Sequence, residues 1–136
     1  MIQYTSDINL ITEEMLQGGF FAGWPNPPSA AAHLRILHGA YVAWVAVDTT
    51  TSKVVGFINA VSDGVLSAYI PLLEVLPEYQ KQGIGKELVS RMLESLKGLY
   101  MVDLLCDEDM QGYYAKLGMY KTTGMCARNF DRQNCM

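Results

Sequence analysis

The sequence predicts an α/β fold in which antiparallel strands lead into one parallel strand–helix–strand crossover, and three observations carry that prediction. Residues 41–47 and 54–61 are apolar, rich in β-branched and aromatic residues, and separated by Asp48–Lys53, the pattern of a hairpin. Ile84, Leu88, Met92 and Leu96 recur every fourth residue with Val89 and Leu93 beside them, which marks an amphipathic helix. That helix stands between apolar runs at 68–75 and 100–106, so the two strands should lie parallel, joined by a right-handed crossover.

Composition sets the outer bounds. The 136 residues suit one domain, and half of them are hydrophobic against 18% charged, which favours a packed core. A net charge of −4 gives no reason to expect a nucleic-acid or anionic-membrane partner. No apolar run approaches a membrane span and the first residues lack the pattern of a secretion signal, so the expected compartment is the cytoplasm. Cys106, Cys126 and Cys135 show no CxxC spacing, and His33 and His38 lie five apart, off a common helical face. Neither a disulfide framework nor a metal site is expected.

In chain order, residues 1–5 read as a first strand and residues 9–17 as a short helix ended by Gly18-Gly19. Phe20–Pro28 holds three prolines and three large aromatics, which forbids regular structure while demanding burial. Trp24 in this stretch reads either as a core plug or as a wall of a substrate pocket. A second helix, capped near Ser29, runs to Leu37 and stops at Gly39. After the hairpin, Ser62-Asp63-Gly64 is a turn signal, with Asp63 a less favoured anchor for an amine. The strand 68–75 carries Pro71 in its middle, where it cannot donate to a ladder, so an edge or a bulge is expected there. Lys97-Gly98 ends the amphipathic helix, residues 100–106 form a fifth strand, and a hairpin reaching Phe130, with Thr122-Thr123-Gly124 near its turn, should complete the sheet.

The chemistry concentrates between strand 68–75 and the helix that follows it. Gly83 and Gly85 stand where the helix begins, so unpaired N–H groups, the positive end of the dipole and two residues without Cβ coincide. An anionic phosphate suits such a place. The Walker pattern fails, because Glu87 follows Gly85-Lys86 and Gln80 occupies the earlier glycine position. The dinucleotide fingerprint fails at Leu88. What remains, Gln80-x-x-Gly83-x-Gly85 after a strand ending Val75-Leu76-Pro77, resembles the acetyl-CoA-binding motif of the Gcn5-related N-acetyltransferases (GNAT). Tyr113-Tyr114-Ala115-Lys116-Leu117-Gly118-Met119 resembles that family's second landmark, with Asp107 where Asn is frequent and Met110 where a small residue is common.

The resemblance implies a single domain over residues 1–136, with a mixed, mostly antiparallel sheet of six to seven strands, splayed between strands 4 and 5 and flanked by about four helices. It implies an acetyl-CoA-dependent transfer to a primary amine of a small molecule or peptide, with Leu73, Val75, Gln80, Lys81, Gln82, Gly83, Ile84, Gly85 and Lys86 around the coenzyme A and Tyr114 as proton donor to its sulfur. The coenzyme A arm would add to strand 68–75 as an extra strand does. Candidates on the acceptor side are Trp24, Tyr69 and Glu74. Tyr69 stands where family members often carry Glu, and alternation puts Glu74 on the face opposite Leu73 and Val75, so no general base is assigned. The alternative function is a coenzyme A-binding or regulatory module without turnover. A homodimer through the apolar C-terminal strands is compatible with the sequence.

Overall fold

The computed structural model describes residues 1–136, and five strands pair in chain order into one sheet: β1 (Ile2–Thr5), β2 (Val42–Asp48), β3 (Lys53–Ser62), β4 (Ser67–Val75) and β5 (Met101–Asp103). The first four are antiparallel and β5 runs parallel to β4, as a crossover through one helix requires. The helices are α1 (Ala30–Gly39), α2 (Ile84–Ser95) and α3 (Gln111–Ala115).

Each face of the sheet is closed by different chemistry. On one face Ile84, Leu88, Val89 and Met92 of α2 bury against Ile58, Ala60, Ala68 and Ile70 in a wholly apolar layer. On the other, Val45, Val54 and Phe57 pack under Phe21 and Leu37. Here α1 also drives His33 into the core, its ring 4.3 Å from that of Phe57. The Ser29 side chain caps α1 by accepting from Ala32 N–H at 3.1 Å. No helix is long and apolar enough to cross a membrane.

Four expectations need correction. The sheet has five strands rather than six or seven, and three α-helices rather than about four. The expected helix 9–17 is two separate 3-10 turns, Ile8–Leu10 and Glu14–Leu16, because Ile11 between them is extended (φ −102°, ψ 134°) and Asp7 takes the Asn9 amide into a local turn. The fifth strand contracts from 100–106 to Met101–Asp103, since β4 offers a partner only through Tyr69. The hairpin to Phe130 does not form, and residues 119–129 hold neither helix nor strand. A three-residue edge strand is too short a template for it.

Candidate functional site

Strand register creates a fork. Gly56 faces Val75 and Asn59 faces Leu72, but beyond them Ile70 and Pro71 oppose Ala60 alone, so the proline occupies the bulge its missing N–H calls for. Leu76 donates its N–H to the Val55 carbonyl at 2.9 Å, which fixes the alternation. Glu74 turns its peptide groups to β3, and Leu73 and Val75 turn theirs to the open side. The buried Asn59 side chain accepts the Leu72 N–H at 3.1 Å, replacing a ladder bond at the bulge. Across the gap, β5 leaves β4 after Asp103. A cavity of about 160 Å³ opens between them, walled by Pro71 and Leu73 on one side and by Leu104, Leu105 and Tyr114 on the other.

The loop that feeds α2 is anchored at both ends. Tyr79 Oη donates to Asp48 Oδ2 at 2.6 Å, pinning the turn Pro77–Tyr79 to the end of β2. That bond holds the Asp48 carboxyl below, and the Tyr79 phenol above, their ordinary pKa values. Gln80 Nε2 donates to the Val75 carbonyl at 2.9 Å, so the motif glutamine braces the end of β4. Gln82 Nε2 reaches back to the Glu78 carbonyl at 3.4 Å. Lys81 and Gly83 both adopt positive φ, 64° and 85°, which swings the chain into α2.

Gly83 is the N-cap of α2 and provides no side-chain cap, so the amides of the first turn point out of the helix end without one. A Cβ at Gly83 would meet nothing within 4 Å, so the space before those amides is open. Gly85 differs: its Cβ would lie 3.2 Å from Tyr113 Oη and 3.7 Å from Val75 Cγ2, so this glycine lets α3 close onto the helix start. Ile84 points into the core, and Lys81 and Lys86 are exposed on either side of the loop. Glu87, the acidic residue of the first turn, is drawn aside by Arg91, whose Nε lies 2.8 Å from its carboxylate and whose guanidinium stacks on Tyr4 and Trp44. The positive end of the α2 dipole and the two exposed lysines therefore stand together at the loop.

Tyr114 stands on the β5 wall of the fork, its ring edge-on to Tyr113 at 5.1 Å. Burial, with smaller contributions from Cys106 and Tyr113, pushes its phenol up to about 12, so it keeps its proton at neutral pH. Tyr69 marks the vertex, paired with Val61 on one side and Asp103 on the other. Glu74 lies on the far face, where both carboxylate oxygens accept the Phe21 N–H at 3.0 and 3.1 Å. Burial raises its pKa, and the Phe21 amide partly opposes that rise. Trp24 packs against Phe21 with ring centroids 5.0 Å apart and the planes tilted by 59°, and stays 39% exposed, outside both cavities described here.

A second cavity of about 350 Å³ lies behind Glu74, where Leu16, Phe20, Phe21 and Pro28 surround the start of α1 and His33. His33 is 1% exposed, sits edge-on among Phe20, Phe21 and Phe57, and its Nε2 has no hydrogen-bond partner. Burial lowers its pKa to about 4, so it is neutral at pH 7. The sequence assigned no role to His33, Tyr113 or Asn59. For Tyr113 a signal existed in the aromatic pair, since a helix start carrying Gly85 needs a partner that uses the missing Cβ.

Residues 10–119 match the Acetyltransferase (GNAT) family. The chain belongs to that family. The GCN5-related N-acetyltransferase 1, chloroplastic, of Arabidopsis thaliana is 32% identical over 84% of this chain, which spans only 57% of that protein's length. The crystal structure of a Deinococcus radiodurans R1 protein, provisionally assigned as an acetyltransferase, superposes with a TM-score of 0.92 at 45% identity, covering 97% of this chain and 91% of that one. A GNAT-family acetyltransferase of Streptococcus pneumoniae TIGR4 superposes at 0.75 with 32% identity, covering 95% and 98%. The GNAT fold here is thus a five-stranded version of the splayed sheet.

Proposed function

We propose that the protein transfers an acetyl group from acetyl-CoA directly to an amine. The observation that carries this reading is the uncapped start of α2, open at Gly83, which follows directly on the β4 limb of the fork. A diphosphate fits the helix end and an extended, amide-bearing arm fits beside Leu73 and Val75. Acetyl-CoA bound there supplies an acetyl thioester already activated for attack.

The chain's own groups have separable roles. The first-turn amides of α2, with Lys81 and Lys86 flanking, hold the diphosphate. Val75 keeps its N–H for the open side while Gln80 occupies its carbonyl, so that amide is fixed as a donor able to polarise an acyl oxygen. Leu104 and Leu105 exclude water. Tyr114 holds its Oη proton at neutral pH and can give it to a departing sulfur. On the acceptor side, the second cavity lacks charged lining residues, which suits an amine carried on an apolar body that also presents a hydroxyl or amide to His33.

A second reading, a coenzyme A-binding module without turnover, is favoured by one observation. The only carboxylate on β4, Glu74, is committed to the Phe21 amide, so the amine proton would have to leave through water. A screen of amines that follows free thiol release from acetyl-CoA separates the readings. Turnover with at least one acceptor, lowered about 100-fold by Tyr114→Phe at unchanged coenzyme A affinity, supports the enzyme. Coenzyme A binding with no thiol release across amines of every class supports the module.

A further inference from the structure

Residues 18–28 form a strap on the sheet face that carries α1, and few hydrogen bonds hold it. Its main chain makes one bond to itself, from Trp24 N–H to the Phe21 carbonyl at 3.1 Å, and two to side chains, from Phe21 to Glu74 and from Asn26 to Gln133. Aromatic packing does the rest: the Phe20 and Phe21 rings stand 5.2 and 5.0 Å from His33, and 5.3 and 6.0 Å from Phe57.

Phe21 sits in that packing under strain. Its φ is 64°, in the left-handed region that a bulky residue rarely enters. Gly19 and Gly23 on either side take positive φ as well, 106° and 88°, and a Cβ at either would meet nothing, so torsion rather than space selects glycine there. Both Glu74 oxygens accept the Phe21 N–H, and that half-buried carboxylate has no other hydrogen-bond donor and no cation. Strain at one bulky left-handed residue and a hydrogen bond to a charged acceptor are similar in size, so the bond offsets the strain and its loss frees the turn. Glu74 also stands between Leu73 and Val75, whose peptide groups face the fork, while the turn it holds lines the cavity at His33 through Gly19, Phe20 and Phe21.

We propose that Glu74 is a positioning residue: acting through the Phe21 amide, it latches the strap to the strand that faces the fork, and the cavity at His33 opens when that latch is broken. One carboxylate thereby sets the acceptor wall relative to the cofactor strand. The acceptor's place in this cavity rests on the transfer reading above, whereas the latch does not.

The latch is tested without turnover. Diethyl pyrocarbonate acylates accessible neutral imidazole, and the chain has two histidines, buried His33 and exposed His38, so His38 is an internal reference. In Glu74→Ala, confirmed folded by circular dichroism, His33 should react about tenfold or more faster than in the wild type, with His38 unchanged. An unchanged His33 rate overturns the latch. A wild-type measurement decides should that variant fail to fold: reaction through local opening of the strap leaves the His33 rate level up to about 1 M urea, whereas a rise of about fivefold or more marks global unfolding and overturns the proposal. With an acceptor in hand, Glu74→Ala should raise its KM about tenfold, more than it lowers kcat, and an unchanged KM overturns the positioning role. Absence of any acceptor counts against the transfer reading, and the His33 rate decides the latch in either case.

Discussion

The two limbs of the fork are built to different standards. β4 is nine residues long, pairs with β3 through most of its length, and carries Ala68 and Ile70 into the apolar layer under α2. β5 is three residues long with no fully buried residue, and hands over to a half-exposed Leu105. The stiff limb aims the peptide groups of Leu73 and Val75, and the loose one carries the Tyr114 wall. A ligand that fills the fork therefore meets a fixed reference on one side and an adjustable wall on the other.

The largest expected difference tests that asymmetry by truncation. Leu88→Ala, fully buried on α2 in the apolar layer that also takes Ala68 and Ile70 of β4, should cost about 2–5 kcal/mol in urea unfolding, and Leu105→Ala, 46% exposed, less than about 1 kcal/mol. Equal costs would break the comparison. Next comes His33, behind the stiff limb. Its folded pKa lies below the unfolded value, so the unfolded chain takes up a proton first as pH falls below 6.5. The stability lost should approach about 3 kcal/mol by pH 4, at up to about 1.4 kcal/mol per pH unit. In His33→Leu that acid slope should flatten, and an unchanged slope would remove His33 as its cause. The smallest effect concerns the brace at the end of β4. Gln80→Ala should cost about 1 kcal/mol or less and weaken coenzyme A binding several-fold by freeing the Val75 carbonyl. Unaltered binding would mean that the brace does not orient the Val75 amide.

The stiff limb was readable in detail, whereas of the loose one only its existence and parallel direction were, and not its length, for a physical reason. Pro71 in mid-strand requires an edge or a bulge, Gly83 and Gly85 mark a helix start by what they lack, and Glu74 follows from strand alternation alone. Each is a local rule. The length of β5 depends instead on where β4 stops offering a partner, and the missing hairpin depends on β5. Both are settled by pairing across distant sequence. The same holds for His33, where periodicity gives the buried face of α1 but not the three aromatic rings that leave its Nε2 without a partner. Residues 9–17 failed more locally, because Asp7 captured an amide that a helix start would have used.

Calorimetric titration of coenzyme A into the wild-type protein and into Gly83→Val tests the central claim, that open amides at the start of α2 grip the diphosphate. The wild type should bind with micromolar affinity. The substituted chain, confirmed folded by circular dichroism, should lose about 100-fold or more, because its side chain fills the space before those amides and a φ of 85° strains a β-branched residue. Equal affinity in the two proteins would contradict the account.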